Sequence, residues 1–520
     1  MPALPETRQA NHTALYAGCL CAFALVIFLI HAPYLSLPYF WDEMGQFVPA
    51  ALDILHDGAL VPHSTVPNVH PPGVMAYLAG VWSVFGYSIL ATRAAMLALA
   101  ALLFLFTFLL AIELCRGLPG APAFATIIVL AADPLVYTQS MMAQLDMPAA
   151  LFTVLGLWLF LQNRHSAAAL ACTALVLSKE TGVLLPLFCG GWLLFGFGRT
   201  PNRGRCAVYY TAPLVVLAAW LLLLKSTTGE WLGDAGFAHY NVGYALHPVR
   251  IGLCLLRRLY FLCLADFRWI GTVAILLAWR RRALFRTPAW RFTWILIGGH
   301  VLLVSVLGGA ELERYLLPIL PLLYTAMAAA WSVLLPRWRN ASIAAISAGM
   351  ILGLFLNPPF PFPYENNLAM TDFVELQKSA AVELEATYPR LPVYTAWPLT
   401  QALRDPAFGY VKHSLVAEET SDLRASTLLR IDPQKVSLLV LYSRTWEPAW
   451  GVLQNEWVRR LLGHFYEYGP QMDTAGVREH FGLTPAMRWT RRGQWIAIYV
   501  RPSNLTAKPV KMLSADSNAL

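Results

Sequence analysis

Apolar residues do not fall in the short alternating or 3.6-residue stripes of a water-soluble domain; they form long uncharged runs. Such runs lie near 13–36, 91–112, 121–137, 147–163, 166–178, 181–198, 207–224, 268–279, 290–309, 315–335 and 341–356. A hydrocarbon core about 30 Å thick takes roughly 20 apolar residues per helix, so the pattern predicts about eleven transmembrane helices. The first run is longer than a signal-peptide core and has no clear small-residue cleavage site, which reads as a retained anchor.

After the Pro-rich stretch Asn357-Pro358-Pro359-Phe360-Pro361-Phe362-Pro363 the pattern changes. Val436–Tyr442 reads as a buried strand, 452–468 as a helix, and Arg488–Val500 as a hairpin. The last dozen residues read as disordered. The expected organisation is a transmembrane module over 1–356 followed by a C-terminal extracytoplasmic α/β domain over 357–520. Charge density agrees: the first part carries 21 Lys and Arg with 14 Asp and Glu, the shorter second part 17 and 16. Of the 520 residues 57% are hydrophobic and 13% charged, and mean hydropathy is +0.52. These values exclude a soluble enzyme. The eight cysteines all precede residue 264 and show no metal or redox spacing.

The net charge of +8 reads as a topology signal rather than as nucleic-acid affinity. With the N-terminus in the cytoplasm, alternation puts thirteen basic residues inside against two acids, Glu6 and Glu113. The outer side of the same module then holds eight basic and twelve acidic residues. Two outer loops stand out. Residues 37–90 contain no Lys or Arg and have helix-like patches at 43–56 and 73–90. Residues 225–268 form a basic amphipathic stretch with His239, His247, Arg250, Arg257 and Arg258.

Ionisable groups at membrane depth are expensive, and here they gather at the outer ends of helices. Asp42-Glu43 follows the first helix directly, as a candidate acid pair or as a plain cap of the next helix. His70-Pro71-Pro72-Gly73 fixes a helix entry. Asp133 and Asp146 look like helix-end acids, Lys179-Glu180 like a mutually neutralising pair, and Arg314-Tyr315 like a cation and an aromatic ring at a helix mouth.

In this order these pieces, with Arg93 and Leu316-Leu317-Pro318, resemble the polyprenyl-phosphate-sugar-dependent glycosyltransferases of the GT-C superfold. The likeness is to the protein O-mannosyltransferase and lipid A aminoarabinose transferase group, over about residues 14–335. The resemblance implies an integral glycosyltransferase of a bacterial inner (plasma) membrane, multi-pass, with an extracytoplasmic C-terminal domain. It would move a sugar, with inversion, from a polyprenyl-phosphate donor to a protein, lipid or glycan acceptor on the outer face. It implies Asp42 as base with Glu43 assisting. The expected substrate-binding set is His70, Asp146, Lys179, His239, Arg250, Arg257, Arg314 and Tyr315. Relatives place Glu-Lys before the Pro-Pro pair where Val69-His70 stands here, so no cofactor is expected and a divalent metal is disfavoured. A lipid-linked saccharide transporter, flippase or polymerase is the alternative; it would carry charges near helix midpoints, which this chain leaves almost uncharged.

Overall fold

The computed structural model describes residues 6–196, 202–280, 284–307, 309–356, 365–443, 455–504 and 511–514. The Pro-rich stretch at 357–363 and most of the expected disordered tail lie outside these residues. The chain forms two compact units: Met1–Leu35 with Gln46–Leu354, and Ser36–Gly45 with Phe355–Leu520.

The first unit is helical, and each of the eleven apolar runs is mostly helix among the described residues. Those needed below are α1 (Glu6–His31), α2 (Val48–Asp57), α3 (Gly73–Phe85), α4 (Ile89–Leu114), α5 (Pro122–Ala132), α6 (Pro134–Met141), α7 (Asp146–Leu161), α8 (His165–Ser178), α9 (Leu184–Leu194), α10 (Arg203–Tyr209), α11 (Thr211–Thr228), α12 (Pro248–Cys263), α13 (Trp269–Arg280), α14 (Pro288–Val306), α15 (Leu320–Ser332) and α16 (Pro336–Phe355). Among the described residues six helices are long and apolar enough to cross a membrane alone, or seven if α5 and α6 make one bent span. Several others are shorter apolar helices, so the chain is a multi-pass membrane protein. The patch expected at 43–56 is a π-turn, Glu43–Phe47, running into α2, and that at 73–90 is α3.

Asp133 explains the 69° bend between α5 and α6. Pro134 cannot continue α5, and the Asp133 carboxylate caps α6 by accepting from the Val136 amide at 2.9 Å. Its other oxygen takes Arg268 at 2.5 Å and the hydroxyl of Tyr324. Arg268 is fully buried, with its Nε 2.9 Å from the Tyr324 oxygen and its Nη1 2.9 Å from Asp266. A helix-end acid is thus also the anchor of a buried ion network that ties the bend to the start of α13 and to α15.

The second unit is built on a six-stranded sheet, with α17 (Ala369–Thr387) among the helices packed on it. Its strands are β1 (Val393–Ala396), β2 (Ala417–Thr420), β3 (Leu438–Tyr442), β4 (Thr484–Arg491), β5 (Gln494–Val500) and β6 (Lys511–Ser514), in the order β2-β1-β3-β5-β4-β6. The expected buried strand is β3, every residue of it inside, and the expected hairpin is β4–β5, antiparallel from Arg491↔Gln494 outward. A helix, Glu456–Tyr466, occupies the patch expected at 452–468.

The stretch Ser36–Gly45 belongs to this unit although it follows α1 directly. The Tyr410 hydroxyl donates to the Tyr39 carbonyl at 2.8 Å, Phe40 meets Phe373 edge-on at 5.8 Å, and Trp41 meets Trp397 at 4.5 Å between ring centres. Gly45 allows the last contact, since a Cβ there would come within 2.8 Å of the Trp397 ring.

Asp133→Ala should leave Arg268 buried without its main partner, a loss of about 3–5 kcal/mol for a pair of this kind. We expect a clear drop in melting temperature in detergent. The double change Asp133→Ala with Arg268→Met should recover part of it.

Candidate active site

Around Tyr315 the first unit collects cations from three places in the sequence. Lys179 is the residue after α8, in extended backbone, and its ammonium lies 4.1 Å from the centre of the Tyr315 ring. Arg314 precedes Tyr315 in the short 3-10 segment Glu313–Ile319, its guanidinium carbon 5.8 Å from the ring centre. Arg258 approaches from α12 at 5.6 Å. His300 of α14 fixes the tyrosine from behind, its Nε2 2.7 Å from the Tyr315 carbonyl oxygen.

One carboxylate reaches two of these cations. Asp146 starts α7, where the helix dipole favours an acid, and its oxygens lie 2.5 Å from Lys179 Nζ and 3.5 Å from Arg314 Nε. Lys179, Arg258, Arg314 and Asp146 are all buried. The other acids nearby are committed: Glu313 sits 2.5 Å from Arg257, and Glu311 3.5 Å from Arg250, which also donates to the Gly309 carbonyl at 2.8 Å. The surroundings of Tyr315 therefore gather several buried ionisable groups in a place where charge is costly. Arg258 has an exposure of 0%; it donates to the Leu312 carbonyl, and its Nε and Nη2 have no partner in the protein. A phosphate oxygen is a good acceptor for planar N–H donors of this kind.

Helix α12 explains how such arginines come to be inside. Arg250, Cys254 and Arg258 repeat every four residues on the buried face, while Leu256, Leu259 and Tyr260 stand exposed. The helix is amphipathic with its charges turned to the protein and its leucines outward, the reverse of a helix in water and the arrangement expected against lipid.

The expected residues distribute as follows. Asp146, Lys179, Arg314 and Tyr315 come together. Arg250 and Arg257 share the same helix but are paired with Glu311 and Glu313. Lys179 and Glu180 do not neutralise each other: Lys179 turns to Asp146, and Glu180 lies 2.9 Å from His70 Nδ1. His70 also rests against Phe237, edge-on at 5.7 Å. His239 stands exposed on a π-turn, His239–Gly243. Arg93 is fully buried and donates to the Met141 carbonyl at 2.8 Å, a packing role. Asp42 and Glu43 belong to the second unit. There Glu43 is buried and its carboxylate accepts from the Phe40 amide at 2.8 Å, fastening the turn on itself, while Asp42 is half-buried.

Arg258 is the residue missing from the expected set. The exposed leucines on either side of it carry the signal that could have found it, because together they place Arg250 and Arg258 on the face away from lipid. A second correction concerns metal ligands. Sequence spacing shows no cluster on the outer loops, yet Asp53, Asp57 and His63 bring ligand atoms within 4.8 Å of one another. Asp53 and Asp57 are one helical turn apart on α2, and the turn that follows returns His63 to them. Asp53 is already occupied by the His63 and Ser64 amides at 2.9 and 3.0 Å and by the Ser64 hydroxyl. Glu311 and Glu313, which could have met Asp146 as ligands, are each held by an arginine instead.

No family model and no curated protein matches the sequence. Solved structures do match. ArnT from Cupriavidus metallidurans bound to undecaprenyl phosphate is 15% identical with a TM-score of 0.53, over 96% of this chain and 99% of that one. The same protein in the apo state gives 15% and 0.50, over 96% and 100%. The archaeal oligosaccharyltransferase AglB from Archaeoglobus fulgidus, in complex with an inhibitory peptide and a dolichol-phosphate, gives 12% and 0.48, over 82% and 69%. At full length in both chains, a bundle of membrane helices followed by a small α/β domain, the protein has the GT-C fold.

Proposed function

We propose that the protein is a membrane glycosyltransferase that takes a sugar from a polyprenyl-phosphate donor and passes it, with inversion, to an acceptor hydroxyl on the outer face. The observation that carries this reading is the cluster of buried Lys179, Arg258 and Arg314 around Tyr315, with two Arg258 nitrogens that have no partner in the protein. The fold shared with ArnT, whose structure holds undecaprenyl phosphate, supports the same class of donor.

The chemistry is a single displacement. The acceptor oxygen bonds to the anomeric carbon as the bond from that carbon to the phosphate oxygen breaks, and the bonding pair leaves with the polyprenyl phosphate. A phosphate monoester is a good leaving group without protonation, so the enzyme supplies cations for its growing charge and a base for the acceptor proton. Arg258 and Arg314 would take the phosphate oxygens, with Lys179 held in register by Asp146 and by the Tyr315 ring. Asp42 would take the proton. Glu43, buried and bonded to the Phe40 amide, would hold the Asp42 turn in shape.

Purified protein incubated with polyprenyl-phosphate sugars and candidate acceptors should release polyprenyl phosphate. Release from none of a panel of such donors would reject the reading. Asp42→Asn should lower turnover by about 10²–10⁴ fold with donor binding little changed; near-normal turnover would leave Asp42 a helix-end residue only.

On the phosphate side, Arg258→Ala should cost about 10² fold or more in turnover and weaken binding of polyprenyl phosphate itself. Arg314→Lys keeps the charge but loses the planar fork, so it should be impaired, and Arg314→Ala more so. Equal activity of wild type and Arg258→Ala would remove Arg258 from the site.

EDTA should leave transfer largely intact, since the phosphate is met by side chains. Loss of activity restored by a divalent metal, and abolished by Asp57→Ala, would instead give the Asp53, Asp57 and His63 group a ligand role. For orientation, a cysteine replacing the exposed Ser64 should react with an impermeant thiol reagent in intact cells, above the level of the unsubstituted chain. Reaction only after permeabilisation would put the loop in the cytoplasm.

A further inference from the structure

Away from the cations, the first unit has a second feature with no part in the transfer. A groove of about 240 Å³ opens among α1, α4, α5 and α6, walled by Phe23, Val26 and Ile30, by Phe104, and by Ile127 and Ala131. At one end the wall includes His31, Tyr137 and Ser140. These are its polar groups, and each is already engaged within the protein. The two ring nitrogens of His31 face the Ile27 and Tyr137 carbonyls, both at 2.8 Å, the Tyr137 hydroxyl donates to the Ile30 carbonyl at 2.7 Å, and Ser140 donates to the Val136 carbonyl at 2.6 Å. His31 and Tyr137 stack at 4.2 Å and close that end.

We propose that this groove holds one acyl chain of a bilayer phospholipid as a fixed structural lipid. Its walls belong to membrane spans, so hydrocarbon chains are what surround its mouth. Val26 and Ile30 are 55% and 43% exposed, which makes the groove reachable from the bilayer. The wall carries no Lys, Arg, Asp or Glu, and its His31, Tyr137 and Ser140 are turned to backbone carbonyls of the protein, so an apolar chain displaces no charged group.

The same fact selects the source. The head of the polyprenyl carrier needs cations; none lines the groove, whereas Lys179, Arg258 and Arg314 gather around Tyr315. A phospholipid keeps its head in the interface and sends only its tail inward. The consequence is local: α1 is the span with the smallest buried share, 11% of its apolar window, and a chain in the groove would fill the space between it and the α5–α6 bend.

The test uses the full-length protein in phospholipid nanodiscs doped with a phospholipid carrying a diazirine on its acyl chain, with labelled peptides mapped by mass spectrometry. Labelling should concentrate on Phe23–His31 and Ile127–Tyr137, above that of the lipid-exposed residues Ile351, Leu352 and Phe355 of α16. Ala131→Trp, at an exposed position on the groove wall, should lose most of the groove label while the α16 label stays; Val26→Trp serves if that variant does not fold. If neither folds, the wild-type ratio of groove to α16 labelling decides. Groove labelling no higher than on α16, or unchanged in the filled variant, would mean ordinary annular lipid and overturn the proposal. So would preferential labelling by a diazirine-bearing polyprenyl phosphate that excess phospholipid does not displace. None of these readouts involves sugar transfer, so their outcome is independent of the proposed reaction.

Discussion

A buried guanidinium must find acceptors or remain at great cost, and that constraint organises the first unit. Arg268 satisfies it completely, between Asp133, Asp266 and Tyr324. Arg250 and the half-buried Arg257 are paired with Glu311 and Glu313. Arg258 meets it with one backbone carbonyl and keeps two nitrogens without a protein partner. The loops between helices are arranged to serve these groups: the residues from Glu311 to Tyr315 supply two carboxylates, one carbonyl, one more arginine and the ring that the cations surround. Buried ion pairs of this kind add little net stability over apolar packing, so the arginines are better explained by what they hold in place.

The contrast between the two arginine sites separates structure from chemistry. At the α5–α6 bend, two carboxylates answer one guanidinium and every nitrogen of Arg268 has an acceptor in the protein, as a structural network requires. Around Tyr315, Lys179 and Arg314 share Asp146, while two nitrogens of the buried Arg258 have no partner in the protein, and a planar guanidinium with donors to spare is suited to an anion.

Much of this was legible in the chain. The eleven apolar runs, the buried strand β3 and the β4–β5 hairpin follow from runs and alternation, which report burial directly. The site residues were expected on the resemblance rather than on pattern, and of that set Asp146, Lys179, Arg314 and Tyr315 stand together while His70, His239, Arg250 and Arg257 do not. Pairing was not legible. Lys179 and Glu180 are neighbours in sequence but stand on either side of a helix end, so their side chains diverge, one to Asp146 and the other to His70. Nor was it legible that Ser36–Gly45 folds with the α/β unit, because aromatic contacts such as Trp41 with Trp397 join residues more than 350 positions apart and leave no periodic trace.

Helix α12 shows where the reading of charge pattern fails and why. In a surface helix of a soluble protein, arginines mark the outside, and a basic amphipathic stretch reads as lying on a membrane with its charges toward water. Here Arg250 and Arg258 are inside, and Leu256, Leu259 and Tyr260 are outside. Amphipathicity fixes only that two faces differ; which face is buried depends on the medium beyond each. When that medium is hydrocarbon, leucine is the exterior residue and arginine can be held only by protein or by a bound anion. The moment that reads as surface attachment in one solvent is, in the other, the means of building a cationic interior.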